Sequence, residues 1–225
     1  MKALFVNGSP RRNWNTHKML ESALQGAKEA GAECELVNLY ELEPFRGCVS
    51  CFACKLKNAK THGLCAVRDS LTPVLEKALA SDVIVVGSPV YLLDATAAAR
   101  AFMERLVFPA ASYSVDEKTG KQVQVLDKPK YTAIIYTMNG TQEAADKFNF
   151  DTILGACTFG MRVALGHCEM LCAYNTYQFA DYSRYDANMF SEPDKAKYRE
   201  EHFPEDLKKA YELGRGLVLK AGAQN

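Results

Sequence analysis

Four apolar runs stand along the chain with little polar alternation: Ala3 to Val6, Cys34 to Leu39, Val83 to Gly87 and Tyr131 to Tyr136. A strand covered on one face alternates apolar and polar positions. Near-continuous runs of this length predict strands buried on both faces, as in a parallel sheet. A fifth run, Arg162 to Leu171, predicts a last strand interrupted by Gly166 and His167. Between the runs, Thr16 to Ala30 spaces Met19, Leu20, Ala23, Leu24 and Ala27 at helical intervals, and Gly31 follows as a stop. Helices are also predicted over Asp69 to Ala80 and Ala95 to Val107. Pro193 to Ala221 predicts one more, or two broken at Pro204.

Strands alternating with helices predict βαβ units with right-handed crossovers. Five such strands give a flavodoxin-like α/β fold: a three-layer sandwich around a five-stranded parallel sheet of order 2-1-3-4-5. The length suits a single domain over 1–225. Three segments decorate it: a Cys-rich loop at 47–65, an excursion at 112–130 and a C-terminal extension from about 174 to 225. In the excursion, Asp116-Glu117-Lys118-Thr119-Gly120 between valines predicts a small hairpin. In the extension, Tyr174, Tyr177, Phe179, Tyr182, Tyr185 and Phe190 are too many aromatics for a solvated loop. They are expected to pack on the domain, on a partner subunit or over a ligand.

Composition narrows the function classes. Lys+Arg and Asp+Glu both number 27, so the formal net charge is zero. That argues against a nucleic-acid or anionic-membrane binder, which usually carries a basic excess. No apolar run is long enough to span a bilayer. The apolar stretch after Met1 is too short for a signal peptide, so a cytoplasmic location is expected. In a reducing compartment the eight cysteines are ligands, redox groups or core fillers rather than disulfides. Cys34, Cys157, Cys168 and Cys172 are scattered and read as small buried apolar residues.

The strongest chemical signal is Asn7-Gly8-Ser9-Pro10-Arg11-Arg12-Asn13-Trp14-Asn15-Thr16, between the first strand and the first helix. Free N–H groups and the positive helix end make that junction a phosphate site. Ser9, Asn15 and Thr16 add hydrogen bonds there, and Arg11 or Arg12 a charge-assisted one. The alternative is a plain turn with Asn15 or Thr16 as helix cap. Neither a P-loop nor a G-x-G-x-x-G fingerprint is present.

Asn-Gly-Ser-Pro-Arg followed by Asn-Thr resembles the NADPH-dependent FMN reductase and iron–sulfur flavoprotein family. The resemblance runs from Met1 to about Arg162. It implies that Ser9, Arg11, Asn15 and Thr16 hold the FMN phosphate and that Pro10 shapes the turn. It also implies that Pro89, Val90, Tyr91 and Leu92 border the isoalloxazine, and that Met138, Asn139 and Gly140 form a third flavin loop. Arg100 to Arg105 is similar to the family's Lys-x-Phe-hydrophobic-Asp-Arg, with Glu104 in place of Asp.

Cys48, Cys51 and Cys54 share a Cys-x2-Cys-x2-Cys spacing, and Cys65 follows after ten residues. Three occupancies fit: a [4Fe–4S] cluster on these four, no cluster but a structural or redox-active loop, or zinc held by four thiolates. Iron–sulfur members of the family carry a compact cysteine motif at this place, though with a shorter last gap.

No pair of the four histidines has metal spacing on a helix, and no nucleophile elbow occurs. His17 lies close enough to the loop to approach a phosphate. No catalytic acid or base is assigned, because in hydride transfer the flavin carries the chemistry. The expected activity is electron transfer from NAD(P)H through FMN to a small acceptor: a quinone, flavin, nitro or azo compound, or metal species. The alternative is an iron–sulfur flavoprotein that shuttles electrons between ferredoxin and another acceptor. The resemblance implies a homodimer or homotetramer.

Overall fold

A computed structural model describes residues 1–57 and 63–223. Five parallel strands form the sheet: β1 (Lys2–Asn7), β2 (Glu33–Asn38), β3 (Val83–Tyr91), β5 (Lys130–Thr137) and β6 (Gly166–Ala173). Their order is β2-β1-β3-β5-β6; β4 (Asp94–Ala95) is a two-residue antiparallel return on the end of β3. With that return set aside, the order is the 2-1-3-4-5 expected from the sequence.

Alternation along the strands sorts the helices onto two faces. Ala3, Phe5, Val83, Val85, Ala133 and Ile135 meet α1 (Asn15–Glu29) and α6 (Glu192–Gly222). Leu4, Val6, Ile84, Val86, Ile134 and Tyr136 meet α2 (Thr72–Ala80), α3 (Ala97–Ala110) and α5 (Phe150–Leu165). A short α4 (Gln142–Lys147) precedes α5. The excursion makes its hairpin contact through a Val115–Gln122 antiparallel bridge, and Asp116 accepts from the N–H groups of Lys118 and Thr119 at its turn.

One expectation is corrected. Residues 162–165 belong to the end of α5, not to a strand. Gly166, with φ of 118°, stops the helix and starts β6 in one residue, so the strand is shifted to Gly166–Ala173. Neither α4 nor α5 was anticipated. Of the two readings offered over Pro193 to Ala221, the single helix holds: α6 runs through Pro204 for 31 residues. Pro204 and Glu200 are both exposed, so the carbonyl that loses its donor at Pro204 can turn to water.

Helices α1 and α6 approach closely at two glycines. A Cβ on Gly214 would lie 1.9 Å from the Ala23 carbonyl oxygen, and one on Gly26 would lie 2.0 Å from that of Tyr211. Gly214→Ala is therefore expected to destabilise the fold by about 1–3 kcal/mol despite alanine's better helix propensity. A Cβ on Gly216, two residues on, meets nothing within 4 Å. Gly216→Ala should leave stability unchanged or raise it by about 0.5–1 kcal/mol. Urea unfolding of the two variants checks the contrast.

Candidate functional site

The C-terminal ends of β1, β3, β5 and β6 open into a cleft of about 140 Å³. It lies at the switch point of a doubly wound sheet, where such folds bind ligands. On one side α1 begins at Asn15 with Trp14 as its flanking residue, without a side-chain cap and without an acidic residue in its first turn. The plain-cap alternative is therefore not what the loop does; the first turn leaves its N–H groups for another acceptor. Ser9, 6% exposed, shapes the loop by accepting from Arg11 N–H at 3.2 Å. The Ser9 N–H donates to Asn7 Oδ1 at 3.0 Å. Thr16 Oγ1 lies 2.7 Å from Thr137 Oγ1, tying the helix start to the end of β5. The loop is also held from below, where Thr96 Oγ1 donates to the Gly8 carbonyl at 2.7 Å.

The second wall is the end of β3. Pro89, Val90 and Tyr91 line the cleft, and the chain then reverses through Leu92 and Leu93 into β4. Both leucines have positive φ, 50° and 61°, and Leu92 is fully exposed. This is the backbone of a two-residue hairpin turn usually given to Asn-Gly. The third wall is Thr137, Met138 and Asn139 at the end of β5.

The aromatic-rich segment after β6 closes the fourth side. Its Thr176 N–H and Oγ1 both donate to the Met138 carbonyl, and the Asn175 N–H donates to that of Gly140. Tyr177, Phe179, Tyr182 and Tyr185 pack on one another in edge and stacked contacts. So these aromatics pack on the domain, over the β1–α1 loop. Trp14 Nε1 and Asn15 Nδ2 donate to the Tyr177 carbonyl at 3.1 and 2.8 Å, and the Arg11 guanidinium donates to that of Gln178.

Among the residues singled out from the sequence, Ser9, Arg11, Asn15, Thr16, Pro89, Val90, Tyr91, Met138 and Asn139 all line this one cleft. Pro10, Leu92 and Gly140 are neighbours that do not. Arg12 turns away to pair with Glu41 at 2.7 Å. His17 faces Asn7 and Glu21 rather than the cleft. Trp14, Thr137, Thr176, Tyr177 and Gln178 complete the lining and were missed. Only Trp14 lay within the recognised loop; the last three come from the far end of the chain.

Cys48, Cys51, Cys54 and Cys65 line one small pocket with Glu104, Arg105 and Phe108. Among the described residues, no three His, Cys, Asp or Glu side chains are grouped to hold a metal ion. The loop turns through Ser50 and Phe52, both at positive φ, and Cys48 N–H donates to Glu104 Oε2 at 3.2 Å. The insert noted between the cysteines, Lys57 to His62, lies largely outside the described residues. Arg105 is wholly buried: it pairs with Asp69 at 2.5 Å and donates to the Val67 carbonyl at 2.8 Å, while its Nε has no partner. Of the scattered cysteines only Cys168 is fully buried; Cys34, Cys157 and Cys172 are partly exposed, and Cys157 lies against Arg100 and Asp94. Burial pushes Cys168 and Cys172 up to about 11, so both stay as thiols at neutral pH.

Residues 1–167 match the family described as NADPH-dependent FMN reductase. The chain belongs to that family. FMN reductase family relatives include an iron–sulfur flavoprotein of Methanocaldococcus jannaschii, 31% identical over 125 residues, covering 56% of this chain and 62% of the relative. Another is an iron–sulfur flavoprotein of Methanosarcina thermophila, 31% identical over 126 residues, covering 56% and 63%. The match thus spans less than two thirds of either relative. Among solved structures, an NAD(P)H:quinone oxidoreductase from Methanothermobacter marburgensis superposes with a TM-score of 0.67 at 17% identity over 96% of both chains. An azoreductase from Bacillus anthracis does so with a TM-score of 0.64 at 19% identity, over 96% and 99%. These two show the fold.

The cleft's chemistry fits the cofactor in the family's description. One end offers N–H, hydroxyl and guanidinium donors suited to a phosphate. At the other, Asn139 Oδ1 is a buried acceptor without a partner, and so is Gln178 Oε1 on the covering segment. A flavin ring N–H and ribityl hydroxyls supply the donors these oxygens lack.

Burial alone would raise the Asp69 carboxyl, but the hydrogen bond and charge of Arg105 outweigh it and hold it below its usual range. That contribution is complete above the ordinary carboxylate pKa and is lost as pH falls through the lowered value. Asp69→Asn is expected to cost about 3–5 kcal/mol at neutral pH, because it leaves Arg105 buried and uncompensated. Urea unfolding at pH 7 and again in acid should show the gap between wild type and variant narrowing as pH falls.

Proposed function

We propose that the protein is an FMN-dependent oxidoreductase that takes electrons from NAD(P)H and gives them to a small acceptor such as a quinone, a flavin or a nitro or azo compound. One observation carries the reading: phosphate donors and unpartnered flavin-type acceptors converge on a single cleft at the switch point of a family member's sheet. When bound, FMN supplies the ring that accepts a hydride and releases electrons. Ser9, Arg11, Asn15 and Thr16 hold the phosphate, with Pro10 setting the turn. Pro89, Val90 and Tyr91 set the plane of the ring, and Leu92 lies at the rim. Met138, Asn139 and Gly140 supply the loop against the ring's polar edge. The segment around Tyr177 covers the phosphate end and keeps water from it. Its Tyr177 and Gln178 carbonyls each take one N–H of Asn15 and Arg11, and since an amide NH2 carries two such groups and a guanidinium five, both side chains keep donors for a phosphate. The substrates reach the ring from the side of Tyr91 and Leu93, both about half exposed. Exposed Ile153, Phe159 and Val163 on α5 support a homodimer or homotetramer.

A second reading is favoured by the four cysteines lining one pocket and by the names of the curated relatives. In it, Cys48, Cys51, Cys54 and Cys65 hold a [4Fe–4S] cluster and the protein passes electrons between ferredoxin and another acceptor. Beside the pocket, Arg105 Nε is a buried donor without a partner, which suits an occupant that accepts hydrogen bonds. No helix among the described residues is long and apolar enough to cross a membrane.

Arg11→Ala is expected to weaken FMN binding about tenfold or more in a fluorescence titration, the loss of one charge-assisted contact. Unchanged affinity contradicts the phosphate assignment. Anaerobic purification with iron analysis separates the two readings. Flavin bands without iron, together with rapid NAD(P)H turnover, support the reductase. About four irons per chain, lost in Cys51→Ser, with slow nicotinamide turnover, support the electron carrier.

A further inference from the structure

Asn15, at the first position of α1, faces two ways. Its side chain is buried, its Nδ2 donates into the cleft to the Tyr177 carbonyl at 2.8 Å, and its Oδ1 accepts from Arg199 Nη1 at 3.0 Å. Arg199 sits on α6, 184 residues further along the chain and beyond the residues that match the family. Its guanidinium stands 5.6 Å from the ring centre of Tyr177 and 5.0 Å from that of Phe203, and these contacts hold its position. A guanidinium offers donors only, whereas the two ends of an amide differ. Facing Arg199, the Asn15 amide has one satisfactory orientation, with its oxygen on the guanidinium and its NH2 in the cleft.

We propose that Arg199 is a positioning residue for the phosphate end of the cleft. It locks the Asn15 amide so that an entering phosphate meets N–H donors, and its charge polarises them. The proposal rests on the FMN reading above. A phosphate monoester carries close to two charges at neutral pH. Two guanidinium groups then bear on it, Arg11 directly and Arg199 through the amide. Without Arg199 only the Tyr177 carbonyl still orders the amide, and its oxygen turns more readily toward the phosphate, where two acceptors repel. The C-terminal helix, outside the family match, thereby becomes part of the cofactor site.

The test is titration of wild type, Arg199→Ala, Arg199→Lys, Asn15→Ala and the double variant with FMN and, in parallel, with riboflavin, which lacks the phosphate. Quenching of flavin fluorescence is the readout. Arg199→Ala should weaken FMN about tenfold, the scale of one hydrogen bond to a charged group, and leave riboflavin affinity within about twofold. Arg199→Lys should recover most of the loss. In the Asn15→Ala background, removing Arg199 should have little further effect, since the amide it orients is gone. Equal weakening of both flavins, or a full Arg199 effect without Asn15, overturns the positioning role. So does unchanged FMN affinity in Arg199→Ala when wild type binds FMN. Wild type that binds neither flavin overturns the FMN reading itself, and this proposal with it.

Discussion

The first turn of α1 starts with no carboxylate and no capping side chain, and it points its free N–H groups across the C-terminal edge of a parallel sheet. An uncompensated helix start at a buried junction is tolerable only if something else satisfies it. The surrounding structure holds the loop by other bonds and leaves those N–H groups for a further acceptor. Thr96 and Thr137 pin the loop and the helix start from the sheet side, and the Tyr177 and Gln178 carbonyls take the donors of Trp14, Asn15 and Arg11 from above. Asn15 and Arg11 keep further N–H groups beyond those the carbonyls take, which suits a site that receives another acceptor.

This constraint also explains why the C-terminal helix is so long and so close. α6 packs along α1 through Gly26 and Gly214, which brings Arg199 to the level of Asn15. The covering segment 174–190 is braced by its own aromatic stack and by Lys195, whose Nζ donates to Asn175 Oδ1 at 2.7 Å. Burial lowers the Lys195 pKa, the cost of placing that charge under the segment. Fold and site are thus coupled: the packing of two helices sets the polarity of one amide.

Local pattern made the first half of this legible. β1, the β1–α1 loop, α1 and its stop at Gly31 follow from an apolar run, a polar turn and a helical period over adjacent residues, and the strand order followed from taking the five alternating strands as flavodoxin-like. The second half was less readable for identifiable reasons. Gly166 fits an interrupted strand as well as it fits a helix stop, and only packing of Leu154, Met161 and Leu165 on the sheet decides for α5. Pro204 reads as a break unless its exposure is known. Tyr177 and Gln178 act through their backbone carbonyls, which no side-chain pattern announces. Arg199 lies in a helix rich in charges, and its partner is 184 residues away. The cysteine loop was visible as a spacing, but its spacing alone does not distinguish its occupants.

The central claim is that the β1–α1 loop receives the phosphate of FMN. A crystal structure of the protein grown with FMN tests it most directly. The account predicts phosphate oxygens within hydrogen-bond reach of Ser9, Arg11, Asn15 and Thr16, and the ring beside Tyr91 and Asn139. Flavin bound elsewhere, or a phosphate turned to solvent, would contradict it.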